Sequence, residues 1–234
     1  MNSLLARLRR YFVRRQDDRR NERAEDFLKA LLEAGGTLPR SAWDEQFARL
    51  ALESDTAAQT LGRLALEGRV DITAEGLALT PAGRRDALAL MRAHRIYEQY
   101  LAEHSGYAPA EWHERAHHME HRLDARERER MASLLGNPLF DPHGDPIPDV
   151  HGSIETVAEL DLSQIEPGQT VTVDRIHDRD PELLRYLAEH NIGPGVRITV
   201  STDNFPGMRV VHVNGTGASV PLAHSSLWAI NVHA

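Results

Sequence analysis

The chain has no cysteine among its 234 residues. Disulfides, iron–sulfur clusters and thiolate zinc sites are therefore excluded. Any bound metal has to be held by His, Asp, Glu, Met, backbone oxygen or water, a donor set that suits manganese, ferrous iron, cobalt, nickel or zinc. The sequence also lacks an apolar run near the ~18 residues that a membrane-spanning helix needs. Its first segment, MNSLLARLRRYFVRR, has no sustained apolar stretch and no small-residue cleavage site. No secretory signal is expected, and the cytoplasm is the default compartment. Excess positive charge is missing too. A formal charge of −8 argues against bulk affinity for nucleic acid, but its distribution is uneven. Residues 1–23 carry eight Arg against Asp17, Asp18 and Glu22, a balance of +5 that leaves −13 for the remainder. An acidic body with a basic arm can still dock on DNA. Hydrophobic content of 41% and charged content of 26% are ordinary for a globular protein, and the length accommodates one large domain or two to three small ones.

Several segments have clear periodicity. Residues 1–20 read as a basic amphipathic helical arm, with Leu4, Leu5, Leu8, Tyr11 and Phe12 among arginines. Such an arm can pack on a neighbour, or contact phosphates or an anionic membrane surface. A helix is predicted at about 22–34, ended by Gly35-Gly36. Two short helices follow at about 41–50 and 55–67, the second with Ala58, Leu61, Leu64 and Ala65 as its apolar face. RVDITAEGLALT reads as a hairpin. Helix, helix–turn–helix and two-stranded wing in this order are the layout of a winged helix–turn–helix domain, here 21–80. Thr80-Pro81 is a strong helix start, and three helices are expected over 81–136. Residues 137–152 (NPLFDPHGDPIPDVHG) read as a linker or extended arm. Five short strands and one helix follow over 151–234, which fits a small SH3-like barrel.

The chemistry concentrates in APAEWHERAHHMEHRL. At roughly 100° per residue, Trp112, Ala116, Met119 and Leu123 form an apolar stripe. His113, His117, Glu120 and His121 form a second stripe beside it, and His118 points elsewhere. Donors stacked over two turns can converge on one ion beside the core. The preceding helix offers His94 and Glu98 at i, i+4, and the first helix offers Asp26. His104, His143, His151 and the C-terminal histidines have no partner pattern and read as surface or loop residues.

The segment MRAHRIYEQYLAEHSGYAPAEWHERAHHMEHRLDARERERMASLLGNPLFDPHGDPIP closely resembles the metal-binding and dimerisation domain (81–150) of the diphtheria toxin repressor family of iron- and manganese-dependent regulators. LTPAGR resembles that family's entry into its long helix. DRIHDRDPELLRYLAEHNIGPGVRITV looks like its C-terminal SH3-like domain, also found in ferrous-iron-transport accessory proteins. The resemblance implies a homodimeric, metal-dependent repressor of metal-ion homeostasis that binds double-stranded operator DNA. Fe2+ or Mn2+ is the expected activator, with Zn2+, Co2+ and Ni2+ as further options. It implies a primary site of Asp26, His117, Glu120 and His121. His117 departs from the family's cysteine or glutamate, and replacing such a donor by imidazole favours borderline metals. It implies an ancillary site of His94, Glu98 and His113, with Asp180 and Glu182 as the nearest acids of the C-terminal domain. Lys29 stands where manganese-specific relatives place a second first-helix glutamate.

The expected DNA-reading residues on the second short helix are Thr56, Gln59, Thr60 and Arg63, with Arg40, Arg69, Arg84 and Arg85 for phosphates. This is a sparse basic face, so a regulatory module acting on a metal transporter by protein contacts is an alternative. A zinc peptidase is another, because His117-His118-Met119-Glu120-His121 spells H-x-x-E-H. An enzyme is not expected, since that motif leaves His94, Glu98 and His113 idle.

Overall fold

No glycine or proline interrupts residues 2–33, and they form one continuous helix, α1 (Asn2–Glu33). The predicted arm and first helix are thus a single element. The computed structural model describes residues 2–50, 54–155, 160–203 and 205–233, with backbone alone for 2–17 and 54. The amphipathic face predicted for the arm lies outside the described side chains. Gly35 and Gly36 end α1 at φ of +89° and +85°, and the Gly36 N–H donates to the Leu31 carbonyl at 2.8 Å, a cap that glycine accommodates without strain.

The chain divides into two compact units, Met1–Met91 and Arg92–Ala234. In the first, β1 (Thr37–Pro39) is followed by α2 (Trp43–Arg49), α3 (Ser54–Leu66), β2 (Val70–Ile72) and β3 (Gly76–Leu79). The three strands pair in the order β1-β3-β2, all antiparallel. The predicted two-stranded wing therefore has a third strand. Three residues of Thr37-Leu38-Pro39 are too few to display an alternation. The core joins Phe27, Leu28 and Leu31 of α1 to Leu61 and Leu64 of α3 and to Val70 and Leu77 of the wing. Each such burial is worth roughly 1.5–3 kcal/mol.

Helix α4 (Pro81–His104) starts as the sequence predicts. The Thr80 hydroxyl accepts from the Gly83 N–H at 3.0 Å. Gly83 is needed there because a Cβ would lie 1.9 Å from the Arg69 carbonyl oxygen. The helix runs on into the second unit.

That unit continues with α5 (Pro109–Glu120), α6 (Ala125–Leu134), β4 (Leu160–Asp161), β5 (Thr170–Ile176), α7 (Pro181–Glu189), β6 (Arg197–Val200), β7 (Met208–Val213), β8 (Ala218–Ala223) and β9 (Ile230–His233). The strands form one antiparallel sheet of order β4-β9-β5-β6-β7-β8. Among the described residues β4 and β8 do not pair, so by hydrogen bonding the SH3-like domain is an open six-stranded sheet. Its inward-facing residues, including Val173, Ile198, Val211, Val220 and Ile230, pack with Leu184 and Leu187 of α7. Helix α5 packs on α7, which brings the imidazole-bearing helix beside the β domain.

Residues 137–152 are no free linker. Asp141, His143, Asp145 and Ile147 are all buried. Proline- and glycine-rich chain can be buried when its backbone polar groups find partners, as several do here. Arg92 donates to the Pro148 carbonyl at 2.7 Å and Arg95 to the Pro146 carbonyl at 2.5 Å. The Ile176 N–H donates to the His143 carbonyl at 2.9 Å. Asp145 accepts from Arg95 at 3.2 Å and lies 3.0 Å from Arg175 of β5. Gly144 has φ of +90°, and a Cβ on it would lie 2.0 Å from the Asp174 carbonyl oxygen. The strap can therefore press its backbone against β5 only with glycine at that position. Among the described residues, no helix is long and apolar enough to cross a membrane.

Candidate metal centre

Two helices and two loops of the second unit bring the donors together. On α4, His94 and Glu98 are one turn apart and share a face. His113, His117 and Glu120 follow the same spacing on α5. That helix ends at Glu120, so His121 is its C-cap. The buried strap adds Asp141 and His143, and the β5–α7 connection adds Asp178.

Glu120 anchors the first group. Its side chain is wholly buried. His117 Nδ1 lies 3.0 Å from Oε1, His121 Nε2 3.7 Å from Oε1, and His94 Nδ1 2.6 Å from Oε2. Donor atoms of His117, Glu120 and His121 all fall within 4.8 Å of one another.

Glu98 anchors the second group, also wholly buried. His94 Nε2 is 3.2 Å from its Oε1, and His113 Nδ1 is 3.4 Å from the same atom. Asp178 Oδ2 lies 2.7 Å from His113 Nδ1. Donors of His94, Glu98, His113 and Asp178 again lie within 4.8 Å, and so do those of Glu98, Asp141 and His143.

Charge follows this geometry. Burial pushes the Glu98 carboxyl up, but the His94, His113 and His143 imidazoles outweigh it and hold it well below the usual range. Burial lowers His113, yet Asp178 and Glu98 raise it to about 10. Burial raises Asp178, and its bond to His113 brings it down to about 2. Burial, aided by Glu98 and Asp145, pushes Asp141 well above the ordinary carboxylate range.

These residues fit a divalent cation. Neither Glu98 oxygen makes a hydrogen bond, although imidazole nitrogens surround it, and neither ring nitrogen of buried His143 makes one. Leaving buried lone pairs unsatisfied costs about 1–3 kcal/mol each. A carboxylate and imidazoles converging within 4.8 Å have the spacing and chemistry of ligands.

Residues 80–149 match the family model of the iron-dependent repressor metal-binding and dimerisation domain, and residues 160–232 match the FeoA domain. A solved manganese-dependent transcriptional repressor in complex with manganese is 36% identical, superposes with a TM-score of 0.81, and is matched over 90% of this chain and 99% of its own. The chain belongs to the diphtheria toxin repressor family. Curated relatives include the iron-dependent repressor IdeR of Mycobacterium leprae, 28% identical over 79% of this chain and 85% of that protein. The diphtheria toxin repressor of Corynebacterium glutamicum is 27% identical, with coverage of 83% and 89%.

Of the ligands that membership leads one to expect, His117, Glu120 and His121 come together, and so do His94, Glu98 and His113. Asp26 is half-buried on α1 of the first unit. Asp180 and Glu182 are not at the second group. Asp180 caps α7, accepting from the Glu182 and Leu183 N–H groups at 3.0 Å each, and Asp178 approaches instead. Asp180 precedes Pro181, a helix-start signal that spends the carboxylate on backbone. His143 is a correction: it is buried beside Glu98, not a surface residue. Asp141 and His143 lie within GNPLFDPHGDPIP, a segment whose turn-forming composition masks its donors.

On α3, Thr56 and Gln59 face outward to differing degrees, Gln59 fully. Thr60 faces inward, 9% exposed, with its hydroxyl donated to the Thr56 carbonyl at 2.8 Å. Leu61 and Leu64 are buried as predicted and Ala65 packs against the core, but Ala57 and Thr60 join that stripe while Ala58 is exposed. Arg63 is held by Glu67 and Asn21, each at 2.7 Å.

Proposed function

We propose that this chain is a divalent-metal-dependent DNA-binding repressor of metal-ion homeostasis, acting as a homodimer on operator DNA in the cytoplasm. The observation that carries this reading is the pair of wholly buried carboxylates, Glu98 and Glu120, each ringed by imidazoles. Fe2+ or Mn2+ is the expected activator, and Zn2+ also suits the imidazole-rich set. When bound, a divalent ion would supply positive charge that neutralises each carboxylate. His117, Glu120 and His121 would hold it at the primary site. His94, Glu98, His113 and Asp178 form the ancillary site, with Asp141 and His143 adjoining. A coupling of a few kcal/mol between metal occupancy and operator binding is enough to switch the winged helix. Thr56, Gln59 and Arg63 are the residues for operator contact.

A peptidase mechanism is disfavoured by the surroundings of Glu120. Both its oxygens are engaged by imidazoles and its side chain is sealed from solvent, whereas a general base must reach a water at the reacting centre. The protein-contact alternative draws on the sparse basic face of α3, where Arg63 already bonds Glu67 and Asn21. DNase protection of the gene's own upstream region, with Mn2+, Fe2+ or chelator, separates the readings. Protection only with metal is expected. Its absence with every metal rejects the repressor.

A further inference from the structure

One side chain reaches both ligand groups. His94, 3% exposed, aims Nδ1 at Glu120 Oε2 at 2.6 Å and Nε2 at Glu98 Oε1 and His113 Nδ1, both at 3.2 Å. We propose that His94 is a relay: its Nε2 is a ligand of the Glu98 group, and its Nδ1–H positions the Glu120 carboxylate, so that occupancy of one group strengthens the other. This rests on the reading of both groups as metal sites.

The distances separate the two arms. Two donors each about 2.1 Å from one ion sit roughly 3 Å apart. The Nε2 arm matches that spacing. The Nδ1 arm is shorter, in the range of a charge-assisted hydrogen bond. A metal-ligating imidazole commonly donates its other N–H to a carboxylate, which fixes its tautomer and orientation. With Nε2 committed to the Glu98 group, the ring keeps its proton on Nδ1 and donates it to Glu120. A half-turn of the ring would put a C–H against Glu120 Oε2 in place of this bond. Glu120 is therefore held by His94 on one oxygen, leaving the other toward His117 and His121. His94 is thus a positioning residue for the first group and a ligand of the second.

The test is Mn2+ titration of the full chain, followed by the electron paramagnetic resonance signal of the free ion. Asparagine overlays its amide nitrogen on Nδ1, and glutamine places its amide near Nε2. His113→Ala disables the Glu98 group and identifies which binding event belongs to Glu120. The relay predicts that His94→Asn holds the Glu120 group within about threefold of wild type, while His94→Gln weakens it about tenfold or more. It also predicts that His113→Ala weakens the Glu120 group in wild type but not in the His94→Asn background. Equal loss in both His94 variants makes His94 a direct ligand of the Glu120 group and overturns the relay. No loss in either variant also overturns it. A wild-type chain that takes up neither Mn2+ nor Zn2+ overturns the metal reading and the relay with it. Should the variants fail to fold, 15N-histidine spectra of wild type with Zn2+ decide: ion-bound Nε2 with a protected Nδ1–H supports the relay, and ion-bound Nδ1 refutes it.

Discussion

Replacing Glu98 by glutamine changes one oxygen for an amide and removes one charge from the centre of the second donor group. Glu98 is common to the His94–His113–Asp178 set and to the Asp141–His143 set, so this exchange disables both. Binding to the folded state alone stabilises it by about 2.7 kcal/mol when free ion stands at 100 times its dissociation constant. For a chain of this size each kcal/mol moves the melting temperature by roughly 2–4 °C. Glu98→Gln is therefore expected to lose about 5–10 °C of the Mn2+-induced shift and to keep the share due to the Glu120 group. Differential scanning fluorimetry of both proteins, with Mn2+ and with chelator, reads this directly. A variant that retains the whole shift refutes Glu98 as a ligand. The metal-free variant melts lower as well, because His94 and His113 lose a carboxylate 3.2 and 3.4 Å away.

The metal-free protein has a pH signature. His113 is raised to about 10, so its stabilising share is complete below pH 6.5 and lost as pH rises toward 10. Asp178 is lowered to about 2, so its share is complete above pH 3.8 and lost as pH falls toward 2. Melting against pH should show a contribution between about pH 4 and 6.5 that Asp178→Asn removes. Gly144→Ala should cost at least about 2 kcal/mol in urea denaturation, since it combines positive φ with a clash on β5. An unchanged midpoint would show that the strap does not press on β5 in solution. On α3, Gln59→Ala should weaken operator binding by about 1–3 kcal/mol, while inward-facing Thr60→Val should leave it intact; the reverse order in an anisotropy titration rejects this orientation of α3. His117→Glu should shift preference from Zn2+ toward Mn2+ by roughly tenfold, because a carboxylate is the harder donor, and competition dialysis with both ions measures it.

Periodicity and stop signals made the helices and the larger strands legible. Thr80-Pro81 begins α4 as expected, and Asp124 opens α6 with a capping box. Strands too short to alternate, β1 and β4, left no signature, and the join of the arm to the first helix was invisible because nothing marks a boundary there. The histidine stripe on α5 was readable because helical geometry alone aligns residues at i, i+4, i+7 and i+8. Asp178, Asp141 and His143 were not, because they reach Glu98 from loops whose approach depends on tertiary docking. His143 comes inward through Gly144 against β5 and Asp145 between Arg95 and Arg175, contacts that no local window contains. Thr60, read as facing DNA, instead shares the buried face of Ala57, Leu61 and Leu64, where its small polar side chain gives no apolar signal.

The central claim is that buried donors on α4 and α5 make DNA binding depend on a divalent cation. Fluorescence anisotropy of the gene's own upstream DNA, titrated with the full chain and with its Glu120→Ala variant in Mn2+ or Fe2+ and in chelator, tests it most directly. Wild type should bind at least about a hundredfold more tightly with metal, and Glu120→Ala should bind equally weakly in both conditions. Wild-type binding that ignores the metal, or a Glu120→Ala variant that responds as wild type does, would contradict the account.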